Sequence, residues 1–169
     1  DEGDRVSISA IMSNTQSAVE KYADRDRIEY HYPSDWFLLG IKAELEGICI
    51  NLLENALKYS TPETPIRVSW EDNTLGEYIF SVVNSGPGIE PQDLPRLTER
   101  YFRAASNTLD VKGSGLGLAI VQQAASKHGA TLHIESEPDA ETRFSVSFPS
   151  YRCIREQRKT ARVFKLADY

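Results

Sequence analysis

One apolar-periodic run constrains this chain more than any other stretch. It spans residues 41–59 and ends Asn51–Leu52–Leu53–Glu54–Asn55–Ala56–Leu57–Lys58–Tyr59. At roughly 100° per residue, Leu45, Cys49, Leu52, Leu53, Ala56 and Leu57 share one side, which predicts a helix with a core face. Asn51, Asn55 and Lys58 fall within an arc of about 60° away from that side. A polar stripe of this kind is ordinarily a solvated edge. Asn is a mediocre helix former, however, and two at i, i+4 with no turn chemistry between them call for another reason. An amide oxygen ligates a hard cation, and a lysine holds phosphate as a point charge.

The chain has 169 residues, enough for one domain with a proper core. A hydrophobic content of 40% and a charged content of 26% read as soluble and globular. The net charge of −6 argues against non-specific nucleic-acid binding. Cys49 and Cys153 lie far apart and form neither a metal-ligand spacing nor a disulfide framework, so a reducing compartment is the simpler reading. There is no apolar run of about 18 residues and no signal-peptide pattern.

In chain order, Val6, Ile8 and Ala10 alternate with polar residues and predict a short edge strand. Residues 11–22 predict a helix with Ile11, Ala18, Val19 and Tyr22 as core contacts. Residues 27–32 and 36–39 read as two short strands around the turn Tyr32–Pro33–Ser34–Asp35. After the central helix, 66–70 and 78–83 are strand patterns joined by a hairpin-like connection. Residues 91–101 open with Pro-Gln-Asp and read as a short helix, and 104–113 as a loop. Residues 116–128 predict a helix capped by Gly129, and 132–135 and 142–148 complete a sheet. Strands with helices gathered on one face predict an α+β, two-layer sandwich with a mixed sheet.

Two glycine-rich stretches accompany the polar stripe. Val83–Asn84–Ser85–Gly86–Pro87–Gly88–Ile89 follows a strand pattern, and Gly113–Ser114–Gly115–Leu116–Gly117–Leu118 opens a helical one. With the central helix they resemble, in order and spacing, the nucleotide-binding boxes of the sensor histidine kinase catalytic domain. That domain belongs to the ATPase superfamily that includes gyrase, Hsp90 and the mismatch-repair ATPases. The resemblance covers residues 1–150 and implies a Bergerat-type ATP-binding fold; beyond it, the arginine- and lysine-rich composition of 151–169 reads as a basic, helical tail or interdomain segment, or else a docking surface for an acidic partner or membrane.

The resemblance also assigns roles. Asn55 matches the magnesium-binding asparagine, Lys58 a phosphate-contacting basic residue and Tyr59 a ring near the nucleotide. Asn84 stands where the family carries an adenine-reading aspartate. Gly86, Gly88 and Ile89 complete that box. An amide oxygen still accepts the adenine amino group, without the ionised acceptor's extra strength of roughly 1 kcal/mol. Weaker ATP binding, near-normal binding and altered base choice all remain open on that ground. Thr142 matches a threonine that closes the adenine pocket, and Glu141 replaces the usual preceding glycine. Gly113, Gly115, Leu116, Gly117 and Leu118 match the second glycine box, where backbone N–H groups at a helix start face phosphate. Residues 103–112 match the lid, and Arg100 and Arg103 are candidates to reach the terminal phosphate.

Asn51 separates branches of the superfamily. Hydrolysing members carry a glutamate there, which activates water as a general base. An asparagine orients a nucleophile but is a poor base, which favours transfer to an imidazole. The implied function is positioning Mg–ATP for γ-phosphoryl transfer to a histidine in two-component signalling, with ATP and Mg²⁺ as cofactors. His31, His128 and His133 lack the acceptor context, so the acceptor is expected on a dimerisation hairpin outside this chain. The implied partners are that hairpin, a response regulator and a second copy in a full-length homodimer, with no nucleic acid. The implied location is the cytoplasm, in a family whose members are often membrane-anchored. Two other readings stand beside this one: a non-catalytic scaffold with a decayed adenine pocket, and a serine kinase of the anti-sigma type.

Overall fold

The computed structural model describes residues 3–97, 99, 117–137 and 139–156. The chain begins with β1 (Asp4–Ser7), α1 (Ile8–Ala18), β2 (Ile28–His31), β3 (Trp36–Gly40) and α2 (Lys42–Tyr59). It continues through β4 (Ile66–Asp72), β5 (Tyr78–Ser85), α3 (Gly117–Lys127), β6 (Thr131–Ser136), β7 (Glu141–Phe148) and β8 (Cys153–Arg155). The main sheet has five strands in the order β2-β4-β5-β7-β6, with β2 parallel to β4 and the other pairs antiparallel. A second sheet of three strands runs β1-β3-β8.

Strand alternation places Ile66, Val68 and Trp70 on one face of the main sheet with Phe80, Val82, Phe144, Val146 and Phe148, all buried. On that face α2 packs against β4 and β5, α3 against β6, and α1 against α2. The apolar side of α2 is buried as its periodicity predicts, with Ile48 added to the expected set. The expected mixed sheet with helices on one face is therefore present. Among the described residues no helix is long and apolar enough to cross a membrane.

Three local expectations need correction. Ile8 and Ala10 do not extend the first strand, because Ser7 caps α1 by accepting the Ala10 N–H at 3.3 Å. Ile8, Ile11, Met12 and Thr15 then form its buried stripe, and the helix ends at Ala18 rather than near Tyr22. The strands expected on either side of Tyr32–Asp35 are both present, β2 in the main sheet and β3 in the small one. Among the described residues of 91–101, a 3-10 turn at Leu94–Arg96 stands where a helix is expected. Pro95 has no N–H to give the Pro91 carbonyl, so the α-helical ladder cannot start there. Finally, the segment expected to open a helical tail is a 3-10 turn, Ser150–Arg152, followed by β8 paired with β3. The rest of that tail, 157–169, lies outside the described residues.

Stacking joins the two sheets. Trp36 of β3 lies 4.1 Å from Tyr78 of β5 between ring centroids, at an interplanar angle of 11°. Nearby, the indole of Trp70 donates to Met12 Sδ at 3.2 Å, tying α1 to β4.

Candidate functional site

The polar stripe of α2 runs beside the start of α3. Asn51 donates through Nδ2 to Gly47 O at 2.7 Å, which orients its amide and leaves Oδ1 as the free end. A β-carbon on Gly117 would stand 3.3 Å from that Oδ1, so the glycine lets the first turn of α3 approach Asn51 closely. Asn55, Lys58 and Tyr59 are half-buried along the same helix. Neither Asn55 nor Lys58 has a side-chain hydrogen bond or ion pair among the described residues. An oxygen donor and a cation thus stand unengaged one turn apart, which suits a hard cation and a phosphate chain.

The last turn of α2 meets the first glycine stretch. A β-carbon on Gly86 would sit 3.1 Å from Tyr59 O and 3.6 Å from Asn84 Nδ2. Thr61 N donates to Ser85 O at 2.8 Å, and Gly88 takes φ +78°, a backbone state that excludes most other residues. Asn84 is buried at the end of β5, directly opposite Thr142 of β7. Its Nδ2 donates to Ser85 O at 3.4 Å, which leaves Oδ1 as the acceptor end of the amide.

Ser136, which the sequence reading did not single out, links these parts. Its Oγ accepts the Ile89 N–H at 3.0 Å and lies 2.8 Å from Thr142 Oγ1. Its signal was within reach, since residue 136 lies on the same face of β6 as the half-buried Leu132 and Ile134. Glu141 faces away from Thr142 and pairs with Arg67 at 2.9 Å. A cleft of about 500 Å³ opens beside Asn84, lined by Thr61, residues 85–87 and residues 139–141.

Leu118 is half-buried against the core. Arg100, Arg103, Gly113, Gly115, Leu116 and the expected lid lie outside the described residues. His31 and His133 are exposed, whereas His128 is 2% exposed. Because Ile41 N donates to His128 Nε2 at 3.1 Å, Nδ1 carries the ring proton and gives it to Ala124 O at 2.7 Å. His128 thereby joins the end of α3 to the start of α2. No group of three or more His, Cys, Asp or Glu able to hold a metal occurs among the described residues.

Comparison with known proteins bears on this arrangement. Residues 40–152 match the family described as "Histidine kinase-, DNA gyrase B-, and HSP90-like ATPase". The phosphate regulon sensor protein PhoR of Pseudomonas aeruginosa is 39% identical over 123 residues, covering 72% of this chain and 28% of that protein. The sensor-like histidine kinase SenX3 of Mycolicibacterium smegmatis is 31% identical over 151 residues, covering 88% of this chain and 39% of that protein. The chain thus spans well under half the length of these relatives. Among solved structures, a mycobacterial sensor histidine kinase MprB superposes with a TM-score of 0.76 at 30% identity, covering 86% of this chain and 97% of that one. The catalytic domain of histidine kinase ThkA, at 21% identity and a TM-score of 0.72, shares the fold, covering 89% of this chain and 97% of that one. The family match takes in α2, both strands that carry Asn84 and Thr142, and α3. The chain belongs to the histidine kinase-, DNA gyrase B- and HSP90-like ATPase family, and it is similar to the sensor histidine kinases named above.

Proposed function

We propose that this domain binds Mg–ATP between α2, α3 and the Asn84–Thr142 strand ends and presents its γ-phosphate to a histidine on a dimerisation hairpin. The observation that carries the reading is the convergence of three separate stretches: Asn51 against Gly117, and Tyr59 against Gly86 beside Asn84. Asn84 Oδ1 accepts the adenine amino group while Thr142 closes the pocket, held by Ser136. Ile89 and Leu118 border it, and Gly88 gives the backbone its turn. Lys58 and the N–H groups at the start of α3 hold the phosphate chain. Asn55 fits as the protein ligand of Mg²⁺, a cation that keeps most of its waters and takes few protein oxygens. When bound, that ion neutralises charge on the phosphates.

Asn51 Oδ1 accepts the N–H of a neutral imidazole and aims its other nitrogen at the γ-phosphorus. The nitrogen lone pair forms the N–P bond as the bridging P–O bond breaks and ADP leaves. The positioning of reactants accounts for most of the catalysis here. The wider assignment follows the relatives: transfer onward to a response regulator, a homodimeric full-length kinase and a cytoplasmic location for this domain. We take the domain to run through β8, with 157–169 a basic segment beyond it.

Calorimetric titration with ATP, ADP and GTP, with and without Mg²⁺, tests the reading. Magnesium-dependent ATP binding that Asn55→Ala abolishes is the expected result. Failure of the unaltered chain to bind any nucleotide overturns it.

A further inference from the structure

Arg27 closes the 3-10 turn before β2, far in sequence from every nucleotide-binding box, yet its side chain is only 10% exposed. Its guanidinium is almost fully engaged. Nη2 donates to Leu57 O at 3.3 Å, and Nη1 donates to Thr61 O at 3.3 Å and to Thr64 O at 3.1 Å. Nε donates to Asp24 Oδ2 at 3.0 Å, which balances the charge.

A cation at a helix C-terminus satisfies orphan carbonyls and opposes the macrodipole, and one contact would suffice for that. The fork does more, because its anchors bracket Lys58, Tyr59 and Ser60. The same segment is gripped from the other side. Thr61 N donates to Ser85 O, and that carbonyl also accepts from Asn84 Nδ2. Arg27 and the Asn84 amide are therefore linked through the backbone of Thr61, whose carbonyl accepts from Arg27 and whose N–H donates to the Ser85 carbonyl that Asn84 also contacts.

We propose that Arg27 is a positioning residue for the nucleotide site: it sets the last turn of α2, with Lys58 and Tyr59, in register with Asn84. The proposal rests on the nucleotide-binding reading above. It also explains the residue type, since a planar fork spans separated carbonyls in fixed geometry and an ammonium on a flexible stem does not. Loosening this link releases Asn84 to rotate, so base selectivity falls together with affinity.

The test uses Arg27→Lys, Arg27→Ala and Asp24→Asn in the full chain. ATP and GTP are titrated at a temperature where circular dichroism shows each variant folded, and melting temperature is recorded separately. Arg27→Lys is expected to bind Mg–ATP about tenfold more weakly and to narrow the preference for ATP over GTP. Low concentrations of guanidinium ion, but not of sodium, are expected to restore part of the affinity of Arg27→Ala. Asp24→Asn keeps the arginine and loosens only its anchor, so it reports even where the arginine variants do not fold; its expected loss is about threefold. The proposal is overturned if the folded variants melt lower while affinity and base preference stay at the unaltered values. It is equally overturned if Asp24→Asn binds as the unaltered chain does. An unaltered chain that binds no nucleotide would instead sink the reading on which the proposal stands.

Discussion

At the scale of single residues, Asn84 and Gly86 carry opposite kinds of constraint. Asn84 presents a neutral acceptor where the resemblance leads one to expect an ionised aspartate. Asn84→Asp is expected to tighten Mg–ATP binding about fivefold, the worth of roughly 1 kcal/mol, in calorimetric titration. A carboxylate also loses the bond to Ser85 O, so an unchanged affinity would show that this contact matters as much as the charge. Gly86 is constrained by space: its missing β-carbon would press on the Tyr59 carbonyl, which is backbone and has little freedom to move. Gly86→Ala is expected to cost about 1–3 kcal/mol of stability in urea denaturation. Both residues were legible as members of a box. The pressure on Gly86 was not, because the atom it faces belongs to a helix end 27 positions earlier in the chain.

Among the elements, α1 shows how a local signal is misread and what the correct one costs to lose. Alternation around Val6 competes with a serine cap, and the cap wins because it satisfies an orphan N–H at the helix start. Ser7→Ala should therefore lower stability by about 1 kcal/mol, seen as a shift in the denaturation midpoint with unchanged slope. Just beyond the end of α1, the Tyr22 hydroxyl donates to Glu54 Oε2 of α2 at 2.5 Å. Burial, then the hydrogen bond and charge of Glu54, push the Tyr22 pKa up from 10.0 to about 12. The folded value lies above the unfolded one, so the neutral phenol's contribution is complete below about pH 10 and is lost as pH rises through about 12. The stability difference between the unaltered protein and Tyr22→Phe is expected to shrink across that window. A constant difference would show that the bond does not depend on the phenolic proton.

For the molecule as a whole, the question is whether two sheets fold as one unit. The Trp36–Tyr78 stack lies at their junction, and Trp36 is buried. The guanidinium of Arg155 lies over the Trp36 ring and its Nη2 bonds Asp72 at 2.9 Å, but that ion pair is half-exposed on both sides. Exposed pairs are worth little, so Arg155→Ala should change stability by less than about 1 kcal/mol. Trp36→Ala, in contrast, removes a large buried ring and should cost about 3–5 kcal/mol. Unfolding followed by circular dichroism and by fluorescence of Trp70 should remain coincident in that variant, as one cooperative unit requires. Separated transitions would mean that the small sheet unfolds independently.

The residues themselves determined the central helix, its buried side, its polar stripe and the two glycine stretches, because periodicity and turn chemistry are local properties. They also determined the family, since three boxes in order are a pattern along one dimension. Partnerships between distant segments were decided only in three dimensions. The three-stranded sheet brings together strands from both ends of the described chain, and nothing in the sequence of β3 distinguishes β8 from β2 as its neighbour. Arg27 reads as an ordinary charged residue at the start of an expected strand, and it becomes a clamp because folding carries to it one carbonyl of α2 and two of the segment that follows. Ser136 likewise gains its place from the register of β6 on β7. A hydrogen bond acts over about 3 Å, and only the fold brings residues that far apart in sequence to that distance.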